Sequence, residues 1–430
     1  MSRVRIKREQ LRYRSLFCAH RSRPSSQSGR TLTQEAESDY ARVLYSPAFR
    51  RLQLKAQVFP LEDNASVRSR LTHSLEVAHI GHQIASIVSQ ELGLDDVIGV
   101  AFCTFVETAC LCHDIGNPPF GHFGETAIQD WFAKNLADFK RLVNPAEEHE
   151  FLSELYPDFL GFDGNPQGFR IVSRLARADH EFGLNLTSTQ LLSNLKYTVP
   201  PYLRNKDVKF AKKAGFFVSE EARVGAAREA IGLEDTARHP ASLIMEAADD
   251  IAYCMSDIED AVEKRIVKPL DLFDWIRDRF KAKDAHPRLA ELVRRVSGKS
   301  KPTLLDFKAR FSNLAVELTA RAYVGNHESV LFGHQARPLV SEVAGLDAFL
   351  KCLGDFSRAH VYCSRDAEHL ELMGYRMIQE ILTSLSPLVT CKESEFLATE
   401  GQPPLLRRLK NGSLGLGVGE ERGVVGLNVG

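Results

Sequence analysis

Apolar residues recur along most of this chain at the spacing of a helix. Leu71, Leu75, Ala78, Ile84, Ile87 and Val88 fall near a 3.6-residue period, and so do Ile244, Ala247, Ile251, Met255 and Ile258. Each set predicts an amphipathic helix with one face on a core. From Val97 to Cys112 the sequence is apolar almost all round, which predicts a central, fully packed helix. It must stop at Gly116, Asn117, Pro118 and Pro119, because proline lacks the amide proton a helix needs and clashes with the preceding turn. The run Gly161 to Gly168 (GFDGNPQG) is rich in turn residues and reads as a loop between helices. Strand signals are weak, no hairpin series stands out and no internal repeat is found. The fold class is all-α, a helical bundle with additional helices.

Three stretches follow from composition. Residues 1–30 form a basic N-terminal arm (Arg3, Arg5, Lys7, Arg8, Arg12, Arg14, Arg21, Arg23), 31–395 a helical body, and 396–430 a tail dense in glycine. The tail has no periodicity, so burial cannot offset its ordering entropy, and disorder is expected there. The formal net charge of −1 excludes the electrostatics of a nucleic-acid coat protein. No apolar run is long enough to span a membrane, and no apolar core follows the basic start as a secretory leader would require. The eight cysteines (Cys18, Cys103, Cys110, Cys112, Cys254, Cys352, Cys363, Cys391) lack zinc-site spacing. Buried free thiols and a cytoplasmic location fit them best.

Candidate chemistry changes the picture more. His73, the adjacent pair His113-Asp114 and the pair Asp249-Asp250 together offer imidazole and carboxylate, a donor set suited to divalent ions. Neighbouring side chains in mid-helix diverge by about 100°. His113 and Asp114 can therefore share an ion only at a helix end, where the breaker just after them puts them. In FGHFGE, His122 and Glu125 stand three residues apart. If His122 opens a helical turn, the carboxylate orients the ring and raises its basicity, as acid–base catalysis requires. Asp249, Tyr253 and Asp257 repeat every four residues and share one helical stripe.

The stretches RSRLTHSLEVAHIGHQIA (67–84), CLCHDIGNPPFGHFGETAIQDWF (110–132) and LIMEAADDIAYCMSDIEDAVEKRI (243–266) resemble the HD superfamily, and within it the deoxyguanosine triphosphate triphosphohydrolases. The runs RRLQLKAQVFPLEDNASVRSRLTHS (50–74) and LKYTVP (195–200) extend the resemblance to roughly residues 30–390. Carried over position by position, it implies metal ligands His73, His113, Asp114 and Asp249, with Asp249 preferred to Asp250 because the ligand lies one turn before Tyr253. His79 and His82, on the same helix as His73, are assigned to solvent or packing.

The resemblance further implies a catalytic pair His122 and Glu125, a deoxyribose site at Tyr253, Asp257 and Gln57, and phosphate contacts at Arg70, Lys196 and Tyr197. The expected activity is metal-dependent cleavage of dGTP, or other dNTPs, to deoxynucleoside and tripolyphosphate. Mn²⁺ or Mg²⁺ is the expected ion, with Fe²⁺, Ni²⁺ and Zn²⁺ also suited to the donors. A homo-oligomer, hexameric as in the family, and a single-stranded DNA effector are implied too. Relatives continue with helical sequence where this chain turns glycine-rich. That keeps open a nucleotide- or DNA-responsive module with an incomplete site, and another HD nucleotide phosphohydrolase is a second alternative.

Overall fold

Local caps set where the helices begin. Ser69 accepts from the Thr72 amide while Thr72 returns a bond to Ser69, opening a helix that Gly93 closes in the left-handed conformation. Asp95 caps the next one through the Ile98 amide. The computed structural model describes residues 3–389, apart from 63, 178–180, 297, 299–300 and 336. The helices that matter below are α1 (Arg3–Leu16), α2 (Leu32–Leu44), α3 (Arg70–Leu92), α4 (Asp96–Cys112), α5 (Gly121–Lys134), α6 (Gly164–Arg170), α7 (Pro240–Glu263), α8 (Leu304–Gly325), α9 (Leu346–Ser357) and α10 (Arg365–Val389). Among the described residues no strand forms; there are only two isolated bridges, Arg21–Thr187 and Ala56–Ser69. The all-α expectation holds.

The pair α3 and α4 forms the centre, with α2, α7 and α8 laid against it. On α7 every residue of the predicted stripe is buried: Ile244, Ala247, Ile251, Met255 and Ile258. The other two helices depart from expectation. On α3, Leu75 is 47% exposed, while His73 and Ser74 beside it are fully buried. Val97 and Val100, in the first turn of α4, are half exposed, so that helix is enclosed only from Ile98 and Ala101 onward and not all round.

One further expectation is corrected. GFDGNPQG is not a loop throughout. Asp163 caps a helix that starts at Gly164, accepting from the Asn165 amide. Its glycines answer close packing: a Cβ on Gly116 would overlap the backbone of Gly164 and Gly168. The basic N-terminal segment carries a helix, α1, whose end is built into the core. Tyr13, Leu16 and Phe17 are buried, and the Phe17 ring lies edge-on to Phe102 at 5.2 Å. The expected glycine-rich tail, and Cys391, lie outside the described residues. Cys110, Cys112, Cys254 and Cys352 are buried free thiols. Among the described residues no helix is long and apolar enough to cross a membrane.

Candidate metal centre and nucleotide site

His73 sits one turn into α3, His113 caps the end of α4, Asp114 follows it, and Asp249 lies midway along α7. Packing of these helices brings all four together. Asp249 Oδ1 lies 3.5 Å from His73 Nε2 and 3.6 Å from His113 Nε2, and Asp114 Oδ1 is 3.6 Å from His113 Nε2. These separations exceed good hydrogen bonds and suit donors converging on a common point. His73, His113 and Asp114 alone already offer atoms within 4.8 Å of one another.

The hydrogen-bonding pattern fits a cation. His113 Nδ1 donates to the Cys110 carbonyl at 2.7 Å, which leaves a lone pair on Nε2. Nε2 of both His73 and His113 is buried without a protein partner, a costly state that an ion would relieve. The field has the right sign. Burial works against the charge of Asp114, but Arg70, His113 and His73 outweigh it and hold its pKa at about 2. Burial likewise opposes the Asp249 anion, and Lys196 and His113 hold it far below the usual carboxylate range. For Asp250 burial prevails and pushes it up to about 7, with Lys196 and Glu246 as its neighbours. His79 is exposed, and His82 is exposed and bonded to Glu107 at 3.2 Å. Neither joins the cluster.

Of the other predicted residues, Arg70 and Lys196 bond directly to the cluster. Arg70 Nη1 donates to Asp114 Oδ2 at 2.7 Å, and its Nε is buried without a partner. Lys196 Nζ lies 3.2 Å from Asp249 Oδ2; burial disfavours its charge, but Asp249, Asp250 and Glu246 outweigh that and raise its pKa. Both cations expected at phosphate are thus bonded to carboxylates of the cluster. Tyr197 is buried beside Lys196. Gln57 is half-buried, with Oε1 enclosed and unpartnered, on the stretch bridged through Ala56 to Ser69 at the start of α3.

His122 lies in the first turn of α5, its side chain 84% exposed, and Glu125 Oε2 accepts from its Nδ1 at 2.7 Å. That bond, above all, raises the pKa of the ring. The second oxygen of Glu125 accepts from the Gly164 amide at 2.7 Å, so the orienting carboxylate is itself fixed. On α7, Tyr253 is 37% exposed and Asp257 fully buried. Burial pushes Asp257 up to about 7.

Several contributors carried no local signal. Tyr362, just beyond α9, donates to Asp257 Oδ2 at 2.5 Å and bonds the Tyr253 hydroxyl. Asn117 donates to Asp114, and Lys55 donates to the Asn117 carbonyl at 2.7 Å, tying down the turn after the His-Asp pair. Lys213 pairs with Asp163 at 2.7 Å near Glu125 and Tyr197. Asn117 stood within a quoted motif and Lys55 within the run 50–74, where either could have been suspected.

Residues 70–253, which span three of the four converging side chains from α3 onward and the fourth on α7, match the HD domain family. A probable deoxyguanosinetriphosphate triphosphohydrolase of Pseudomonas aeruginosa is 39% identical over 85% of this chain and 79% of its own length. Deoxyguanosinetriphosphate triphosphohydrolases of an Enterobacter species and of Klebsiella pneumoniae are 36% and 35% identical, over 87% and 90% of this chain and 81% and 83% of theirs. The class is thus an HD-domain protein. Within it, the chain belongs to the deoxyguanosinetriphosphate triphosphohydrolase family.

Proposed function

We propose that this chain is a metal-dependent hydrolase that cleaves dGTP, and other dNTPs to a lesser degree, into deoxynucleoside and inorganic tripolyphosphate. The observation that carries the reading is the pair of buried, unpartnered imidazole nitrogens of His73 and His113 facing Asp114 and Asp249. These four would hold a divalent ion, Mn²⁺ or Mg²⁺ foremost. When bound, the ion supplies Lewis-acid polarisation at the α-phosphoryl group. The names of the three bacterial relatives support the substrate.

The remaining steps belong to the chain's own groups. Lys196 and Arg70 border the carboxylates and, with Tyr197 beside Lys196, supply positive charge and donors to the tripolyphosphate as it leaves. Glu125 holds His122 by Nδ1, which leaves Nε2 to move a proton at the reacting oxygens. Tyr253 packs against the deoxyribose, Asp257 accepts its 3′-hydroxyl, and Gln57 crowds the 2′ position against ribonucleotides. The same reading expects a cytoplasmic homo-oligomer, with single-stranded DNA as a candidate effector.

The test is a product assay with each of the four dNTPs and GTP in the presence of Mn²⁺, Mg²⁺ or other divalent ions. Tripolyphosphate should appear with dGTP and be far scarcer with GTP. Orthophosphate or a nucleoside monophosphate as product would instead favour another HD phosphohydrolase.

A further inference from the structure

The ring of His122 is largely exposed, so packing around the ring itself does little to fix it. Glu125 orients the ring through Nδ1, and the position of the residue as a whole depends on the backbone that leads into α5. That backbone is unusual: Phe120 has φ +64° and Gly121 φ +53°, two successive residues in the left-handed region. Glycine adopts it freely, but a bulky aromatic residue does so only where its surroundings impose it.

The imposing contact comes from α10. The Phe120 ring lies against the backbone of Gly374, where a Cβ would overlap ring atoms Cγ, Cδ1 and Cδ2. Only glycine leaves the ring its seat. The same two helices are bonded over the next turns: Tyr375 to Asp130 at 2.7 Å, Gln379 to the Ala127 carbonyl at 2.5 Å, and Trp131 to Thr383 at 3.1 Å. On the other side of the turn, a Cβ at Gly121 would lie 3.1 Å from Arg70 Nη2, on the guanidinium that holds Asp114. The Phe120–Gly121 turn is therefore gripped between α10 and the metal cluster.

We propose that Phe120 and Gly374 are positioning residues, a ring and its seat that set where His122 stands relative to the metal centre. The Phe120 ring is apolar and Gly374 has no side chain, so neither can ligate an ion or move a proton, and their effect on chemistry passes through the His122 backbone. Displacement of a catalytic group by about 1 Å costs on the order of 10²-fold in rate. The inference rests on the proposed role of His122 in proton transfer.

A double-mutant cycle on the full chain tests it, with turnover of dGTP, KM and bound metal measured on each preparation. Gly374→Ala should lower kcat by roughly 10- to 100-fold with KM and metal content nearly unchanged. In a His122→Ala background the same change should add almost nothing, because the group it positions is already gone. Should Gly374→Ala fail to fold, Phe120→Leu, which keeps an apolar side chain in the seat, carries the same cycle. Normal kcat in the folded variant, or a loss that adds in full to that of His122→Ala, overturns the inference alone. Near-normal turnover by His122→Ala itself removes the proposed role of His122, and the inference with it.

Discussion

Tyr362→Phe removes a single oxygen, and the structure says what that oxygen does. It donates to Asp257 Oδ2 at 2.5 Å and bonds the Tyr253 hydroxyl, so it joins the two side chains assigned to the sugar. Asp257 is fully buried and its other oxygen has no partner, so water has little room to replace the lost donor. A hydrogen bond to a charged or strongly polarised partner contributes about 1.5–3 kcal/mol, and an acceptor left buried and unpaired costs a similar amount. If most of this reaches the bound nucleotide, kcat/KM falls by roughly 10- to 100-fold, since about 1.4 kcal/mol is tenfold. The assay compares dGTP with its 2′,3′-dideoxy analogue. Wild-type protein should prefer dGTP, because only dGTP offers a 3′-hydroxyl to Asp257. In Tyr362→Phe that preference should shrink as Asp257 loses its orientation. Equal losses for both nucleotides, with the preference intact, would show that Tyr362 does not act through Asp257.

Other consequences are as specific. Glu125 raises the pKa of His122 chiefly through its hydrogen bond, so in Glu125→Gln the limb of the kcat–pH profile that belongs to His122 should move to lower pH. An unmoved limb would detach the carboxylate from that ring. Phe17 is buried beside Phe102 and His239, with ring centroids at 5.2 and 5.0 Å. Phe17→Ala should cost about 3–5 kcal/mol in denaturant unfolding, and a loss below about 1 kcal/mol would show that the N-terminal segment is not part of the core.

These sites differ in how openly the sequence declared them. The stripe on α7 was legible because a long helix with one buried face keeps a regular period, and all five of its marked residues are buried. On α3 the site itself blurs the pattern: His73, Ser74 and Arg70 take buried positions, and Leu75 is turned outward. The N-terminal arm was legible only as basic because its arginines dominate the composition, while three apolar side chains decide its place. In GFDGNPQG, glycine marks a close backbone approach to Gly116 rather than a turn, and that constraint comes from residues far away in sequence. Short motifs announced His73, His113, Asp114, Asp249, His122 and Glu125. Tyr362 and Lys213 could not be found that way, since each arrives from a separate segment and is one polar residue among many; Lys55 lay in the resembling run 50–74 but with no chemical signal of its own. The requirement for glycine at position 374 is invisible until the Phe120 ring is seen against it.

The most direct test of the account is metal content after dialysis, measured by plasma mass spectrometry alongside calorimetric titration with Mn²⁺. Wild-type protein should retain a divalent ion. Asp249→Asn should lose it, because Asp249 Oδ1 lies within 3.6 Å of both orphaned imidazole nitrogens, whereas Asp250→Asn should keep it. Undiminished metal in Asp249→Asn, with the fold intact by circular dichroism, would contradict the proposed centre.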